Sequence, residues 1–311
     1  MTTAAADAAP PALPMTTTPT VAAMKQASGR AKKRLTSRWA SLVAALIAIL
    51  WTIPTFGLAI SSIRPERQIK TTGWWTFFSD PQVTLDNYRT VLSSEGSTGL
   101  GAYFVNSFII VIPSVIIPIA LAALAAYAFA WIDFKGRNLL FIVVFALQIV
   151  PIQVTLIPLL TLYVKAGLAG SFWSIWISHS IFGLPLAIFL LHNFMKEIPR
   201  ELIEAARMDG ARHVQIFFKV LLPLLTPALA AIGIFQFLWV WNDLLVALTF
   251  AGGGDGVAPL TKALADLSGT RGNAYHLLTA GAFVSIAVPV TVFLALQRYF
   301  VRGLLAGGLK G

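Results

Sequence analysis

Glu204-Ala205-Ala206-Arg207-Met208-Asp209-Gly210-Ala211, followed by Leu222-Pro223-Leu224, is a charged, small-residue stretch between long apolar runs. Such a segment reads as a water-facing loop held against a membrane, and therefore as a docking surface. The surrounding composition agrees. Charged residues make up 12% of the chain and hydrophobic residues 57%, with a mean hydropathy of +0.77. Soluble domains carry about 25% charge, so the chain is read as an all-α membrane protein. It contains no cysteine, which removes disulfides and thiolate metal sites from consideration.

A membrane-crossing helix needs about 20 mostly apolar residues. Six stretches qualify: residues 41–63, 103–131, 139–163, 172–194, 221–250 and 278–299. Loops rich in Lys and Arg stay in the cytoplasm. With the N-terminus inside, 16 of the 23 basic residues fall on the inner side. The expected orientation is N-in and C-in, and the net charge of +10 reflects that topology rather than nucleic-acid binding. Residues 1–37, rich in Ala, Thr and Pro and then basic, are expected to form a disordered cytoplasmic tail. Residues 38–63 are the first transmembrane helix, retained as an anchor rather than cleaved. Residues 64–102 form an extracytoplasmic segment. Residues 103–311 form a core carrying the loop 195–220 and a short C-terminal tail.

Every span contains proline: Pro54, Pro113 and Pro118, Pro151 and Pro158, Pro185, Pro227, and Pro289. Each removes an intrahelical hydrogen bond, which membrane helices accept where neighbours or water satisfy the freed carbonyl. Any one of them reflects the general frequency of proline in such helices. All six spans together fit a bundle that bends. The polar residues inside the spans are Asn106, Gln148, Gln153, His179, Gln236, Asn242 and Asp243. They should face the bundle interior or a water-filled path. Gln236 to Asp243 is the densest group, with Trp239 and Trp241 suited to stacking on sugar faces. Near the outer end of the span the tryptophans read first as interface anchors, and Gln236 stands between path and packing. His179 reads as a hydrogen-bonded packing residue, since no second histidine sits at metal-ligand spacing.

Within the loop, Pro199 suits a helix start, and Glu201 and Glu204 are favourable near its N-terminus. Leu202, Ala205, Ala206 and Asp209 share a face by helical spacing. Gly210 permits the left-handed conformation that ends such a helix. Val214, Phe217, Phe218 and Leu221 then form a second apolar stripe leading to Pro223. The two alanines let a partner approach closely, with Glu204, Arg207 and Asp209 around them. Periodicity alone also fits a plain interfacial connector.

Glu204-Ala205-Ala206, Asp209-Gly210-Ala211 and Leu222-Pro223-Leu224 together resemble the signature loop of permease subunits of bacterial ABC importers. Further motifs resemble the carbohydrate importers of the maltose-transport type: Asn106-Ser107, Tyr127-Ala128 before Phe134-Lys135-Gly136-Arg137, Gly183-Leu184-Pro185 and Trp241-Asn242-Asp243. So does the C-terminal run from Gly303. The intervals Gln148 to Leu160, Phe235 to Ala247 and Gln297 to Gly303 are most similar to α-glucoside permeases. The resemblance covers nearly the whole chain after the first span, and the long tail before Arg38 departs from it.

The resemblance implies an ABC importer permease fold in a bacterial inner membrane. It also implies a heterodimer with a second permease subunit, an ATPase subunit dimer inside, and an extracytoplasmic sugar-binding protein outside. Glu204, Ala205, Ala206, Arg207, Asp209, Gly210 and Ala211 would form the coupling helix seated on the ATPase. Gly307, Gly308, Leu309, Lys310 and Gly311 would also reach it. No G-x-x-x-x-G-K-[ST] phosphate loop occurs in the sequence, so this chain is expected to be a transporter subunit rather than an enzyme. ATP and Mg would be held by the partner ATPase, with no cofactor or metal here. The sugar path would draw on Gln148, Gln153, His179, Gln236, Trp239, Asn242 and Asp243. The glycine-rich outer loop from Ala251 to His276 reads either as a reach toward the binding protein or as a flexible connector.

A proton-coupled transporter using Asp243 is one rival, and the same architecture carrying another small solute is a second. An aspartyl protease read from Gly252-Gly253-Gly254-Asp255 is a third. That chemistry needs two carboxylates sharing a proton, whereas Asp255 falls in an outer loop.

Overall fold

The computed structural model describes residues 38–93, 99–252, 256–269 and 274–308, with side chains from Trp39 to Gln297. The proposed tail 1–37 and Leu309, Lys310 and Gly311 lie outside these residues, as do Gly253, Gly254 and Asp255. Every regular element among the described residues is helical. The chain divides into two units, one through Phe56 and one from Gly57 onward.

In the first unit, α1 (Arg38–Ser62) begins as an apolar helix containing Pro54. Its side chains up to Phe56 are exposed, including Trp39, Leu46, Leu50 and Trp51. An exposed helix this apolar suits a lipid or protein surround.

The second unit starts with the last turns of α1. Short helices α2 (Glu66–Thr71) and α3 (Asp86–Leu92) flank a 3-10 turn at Trp74–Phe78. They are organised around Arg64, which is 1% exposed. Its guanidinium donates to the Gly73 carbonyl at 2.9 Å, the Thr72 and Thr76 hydroxyls at 2.6 and 3.0 Å, and Gln68 Oε1 at 3.2 Å. Burial lowers its pKa from the ordinary arginine value, and the Asp80 carboxylate acts in the opposite direction.

Helix α4 (Gly101–Trp131) packs along α7 (Phe172–Lys196), α10 (Thr226–Trp241) packs against this pair, and α13 (Tyr275–Gly308) packs on α10. Ser107, Ser114, Ala122, Ala123 and Ala126 of α4, and Ser174, Ser178, Gly183 and Ala187 of α7, are all buried. Small residues let membrane helices approach closely where lipid removes any net hydrophobic drive between them.

Two expected spans are not single helices. The stretch 139–163 is divided between α5 (Arg137–Ala146), extended by a 3-10 turn to Ile149, and α6 (Ile152–Lys165), with a 100° bend between them. Pro151 is the cause. It lacks an N–H, and it holds Val150 extended at ψ 119°. The stretch 221–250 is also broken. Helix α9 (His213–Leu224) meets α10 at 73°, where Pro227 has no N–H to offer the Pro223 carbonyl four residues earlier. The chain then leaves α10 after Trp241 and forms a separate helix, α11 (Leu245–Phe250). Among the described residues, four helices are long and apolar enough to cross a membrane, or up to six if each bent pair counts as one span.

Among the described residues, three of the six prolines inside continuous helices are compensated by side chains of neighbours. Pro113, Pro118 and Pro289 deprive the carbonyls of Ile109, Ser114 and Ser285 of their i+4 donors. Trp176 Nε1 donates to the Ile109 oxygen at 2.9 Å, Gln236 Nε2 to the Ser114 oxygen at 3.2 Å, and Trp241 Nε1 to the Ser285 oxygen at 3.1 Å. Membrane helices with an internal proline use such substitutes. Trp241 is accordingly 3% exposed and packed among Phe104, Phe108 and Phe237. It is a core residue, not an interface anchor.

Helix α12 (Leu260–Ser268) completes the unit. Asn106 Nδ2 donates to the Gly256 and Ala258 carbonyls, and Ser107 Oγ accepts from the Leu260 N–H at 2.9 Å. The Asn106-Ser107 pair therefore pins the segment entering α12 onto the start of α4.

Candidate functional site

Two regions carry the chemistry. The first is a cavity of about 470 Å³ between α7, α10 and the α5–α6 bend. Gln148, Phe182, Gly183, Phe235, Gln236 and Trp239 line it, with aliphatic residues filling the rest of the wall. No ionisable side chain is among its lining residues. Aromatic faces beside a few amides suit a neutral, polyhydroxylated ligand.

Gln236 is the pivot of this wall. Besides the Ser114 carbonyl, its Nε2 reaches the His179 carbonyl at 3.4 Å, so one amide joins α4, α7 and α10. Gly183 makes room for it: a Cβ there would lie 2.6 Å from Gln236 Oε1. Phe182 and Gly183 do not stand out as path residues in the sequence. Only the Gly183-Leu184-Pro185 motif signals that this turn of α7 matters.

The other expected path residues scatter. Trp239 lies edge-on to the His179 ring, with centroids 5.3 Å apart. His179 is 1% exposed, and its Nε2 stands 3.8 Å from Asp243 Oδ2. Its Nδ1 has no hydrogen-bond partner among the described residues, unlike the hydrogen-bonded packing histidine expected. Asp243 Oδ2 accepts from the Val246 and Ala247 N–H groups at 3.0 and 3.2 Å. These are among the donors a helix start leaves free, so the carboxylate caps α11. Asn242 is exposed and donates to the Leu238 carbonyl. Gln153 is exposed and outside the cavity wall. The structure thus brings Gln148, Gln236 and Trp239 together, places His179 behind Trp239, and leaves Asn242, Asp243 and Gln153 apart.

The second region is the loop. Pro199 precedes α8 (Arg200–Met208) as its N-cap. At the other end Gly210 has φ +80°. The Gly210 N–H donates to the Arg207 carbonyl at 2.9 Å and the Ala211 N–H to the Ala206 carbonyl at 3.0 Å. These two bonds define a Schellman ending, in which glycine takes the left-handed position. Asp209-Gly210-Ala211 is therefore a helix stop written in three residues.

The faces of α8 differ from the periodicity reading. Ile203, 2% exposed, and half-buried Ala206 turn inward, whereas Leu202, Ala205, Met208 and Asp209 are exposed. Ile203 was missed because Leu202 fits the same helical spacing equally well. Inside, Ile203 joins a cluster with Tyr127, Leu191, Met195, Ile216, Phe217 and Leu221. The following stripe also shifts: Val214 and Phe218 are exposed, while Ile216 and Leu221 are buried. A π turn spans Ile216–Leu221, and its i to i+5 bonding puts those two residues on one face.

Polar contacts tie this loop to the bundle. Tyr127 Oη and His213 Nδ1 are 2.7 Å apart, and the Tyr127 ring packs on Phe217. Arg207 donates to the Trp131 carbonyl at 3.4 Å. Glu204 lines a small recess with Arg207, Arg137 and Arg200. Displacing α8 would thus load the end of α4 directly.

Comparison with known proteins identifies the family. Residues 119–305 match the family model described as binding-protein-dependent transport system inner membrane component. The chain is 54% identical to an osmoprotective compounds uptake permease protein of Synechocystis sp., covering 85% of this chain and 89% of that one. It is 40% identical to an alpha-glucoside transport system permease protein of Rhizobium meliloti, covering 86% and 95%. In fold it is similar to a crystal structure of a bacterial ABC transporter involved in the import of the acidic polysaccharide alginate. That match has a TM-score of 0.65 at 20% identity, over 91% of this chain and all of that one. With a family model matching more than half its length and spanning both the cavity and α8, the chain belongs to the binding-protein-dependent transport system inner membrane components, the permease subunits of ABC transporters.

Proposed function

We propose that this chain is one half of the translocation path of an ATP-driven importer of neutral sugars or sugar-like osmoprotectants, α-glucosides foremost. The carrying observation is the two-sided α8. Ile203 roots it in the bundle core, while Leu202, Ala205, Met208 and Asp209 stand outward, uncovered, against a rigid Gly210 stop. Glu204 to Ala211 would seat in an ATPase subunit, which binds ATP and Mg, and closure of the ATPase pair would tilt α4 and α7 through Tyr127 and Ile203. Gly307 to Gly311 would touch the same partner.

The substrate class rests on the uncharged, aromatic-and-amide cavity and on the activities named for the relatives. A second permease subunit would close the other side of the cavity. An extracytoplasmic binding protein would deliver the sugar. A match with a TM-score of 0.63 and 16% identity is a transporter crystallised in complex with a periplasmic protein carrying an alginate pentasaccharide. We read the bent pairs as full spans, which gives six crossings with both termini and α8 in the cytoplasm. Residues 64–102 and the stretch from Ala251 to His276 are then outside, and residues 1–37 are a cytoplasmic tail.

The test is sugar-stimulated ATPase activity of the reconstituted complex carrying Glu204→Lys or Gly210→Pro. Loss of stimulation with intact assembly is the expected result. Wild-type stimulation in both variants refutes the assignment.

A further inference from the structure

A second cavity, of about 670 Å³, opens where the ends of α4 and α7 meet the first residues of α5 and α8. Trp131, Arg137, Phe141, His192, Lys196 and Arg200 form its working surface, and no carboxylate lines it. Two acids, Asp133 and Glu204, line the adjoining recess that shares Trp131, Arg137 and Arg200 with this cavity, and Asp133 pairs with one of the cavity's cations. Its Oδ1 accepts from Arg137 Nη1 at 2.8 Å while the rest of its side chain points into solvent. Among the described residues, no carboxylate pairs with Lys196 or Arg200.

Two polar atoms at this cavity are buried without partners. They are Trp131 Nε1, which can only donate, and Nδ1 of His192, a residue 5% exposed. An unmade hydrogen bond at a buried polar atom is costly. Two such atoms beside three cations suggest a missing acceptor. The cations are also placed against the local field. Arg137 and Arg200 are the first residues of α5 and α8, where the helix dipole favours negative charge. An oxyanion between them would accept from the Trp131 indole N–H, and from His192 Nδ1 in the tautomer that carries its proton there, while meeting both helix starts and the unpaired cations.

The wall beside this polar end is apolar and uncovered. Leu139, Ile142 and Val143 of α5 are all exposed, and Phe141 and Ile142 lead from the cavity onto that face. We propose that the cavity holds the phosphate headgroup of an anionic phospholipid, with its acyl chains lying along the exposed face of α5. Free phosphate offers the same oxygens but would leave α5 bare. Arg presents a fork matched to phosphate, and basic pockets between membrane helices suit anionic headgroups. Assignment to the cytoplasmic leaflet rests on the orientation proposed above, whereas the binding itself does not.

The test uses the assembled transporter, purified in detergent with mixed phosphatidylglycerol and phosphatidylcholine and examined by native mass spectrometry. The wild type should retain phosphatidylglycerol in preference to phosphatidylcholine. Lys196→Gln should lower that preference about fivefold, as expected for one basic residue at a lipid surface. Trp131→Phe, which keeps an aromatic ring and removes the donor, should lower it to a smaller extent. Excess inorganic phosphate should leave the lipid bound. Equal retention of the two lipids, unchanged retention in both variants, or complete displacement by inorganic phosphate would each overturn the proposal. ATPase stimulation, followed in parallel, separates loss of lipid from loss of coupling.

Discussion

Gln236 Nε2 donates at 3.2 Å to the Ser114 carbonyl, the acceptor that Pro118 leaves without its own helical donor. The carbonyl freed by Pro118 in α4 and an amide on α10 are thus two parts of one device. Gln236→Leu should destabilise the complex by about 1 kcal/mol, the scale of interhelical hydrogen bonds in membranes. In a Pro118→Ala background, where the introduced alanine supplies the missing N–H, the same substitution should cost less. A double-mutant cycle of thermal melting in detergent checks this, and strict additivity would mean that the two sites are independent.

Gly183 limits the size of the cavity proposed to take the sugar. Because a Cβ there meets Gln236 Oε1 at 2.6 Å, Gly183→Val should displace the amide into the cavity. Uptake should fall at least about tenfold, the scale of displacing groups from working geometry, with assembly preserved. Gln236→Ala in the same chain should restore part of it. Radiolabelled sugar uptake in proteoliposomes, with subunit stoichiometry as control, reads both.

Much of this is legible in the sequence, and the misses share a physical pattern. Gly210 announces its left-handed turn because only a glycine stop makes sense between two amphipathic stretches. Ile203 does not announce itself, since Leu202 beside it satisfies the same spacing and only tertiary packing chooses between them. The two broken spans carry Pro151 and Pro227 in plain view. Pro113, Pro118 and Pro289, though, sit in continuous helices where Trp176, Gln236 and Trp241 donate to the carbonyls they free. Hydropathy cannot see that repair. Asp243 looks like a path carboxylate for a similar reason: its cap on α11 exists only once the chain has turned at Asn242.

Arg64 holds the segment before α4 together without a hydrogen-bonded carboxylate. Arg64→Met should leave several carbonyl and hydroxyl acceptors unmatched and cost about 2 kcal/mol or more locally. Limited proteolysis should then cut between residues 64 and 93 well before the bundle is attacked. Equal protease resistance in wild type and variant would contradict this.

Tyr127 and His213 connect the loop to α4 through a 2.7 Å contact. Tyr127→Phe keeps the ring packing on Phe217 and removes only the hydroxyl. Basal ATPase activity of the complex should be retained while sugar stimulation falls several-fold, about what loss of one hydrogen bond produces. A proportional drop in both would assign Tyr127 to folding instead.

The chain has no native cysteine, so Ala205→Cys on the exposed face of α8 supplies a single thiol. Oxidative cross-linking of that thiol to a cysteine introduced in the ATPase subunit, followed with and without ATP, measures the coupling directly. The account predicts a nucleotide-dependent cross-link and no labelling of the thiol by an impermeant reagent added outside intact cells. Labelling from outside with no cross-link in any nucleotide state would contradict it.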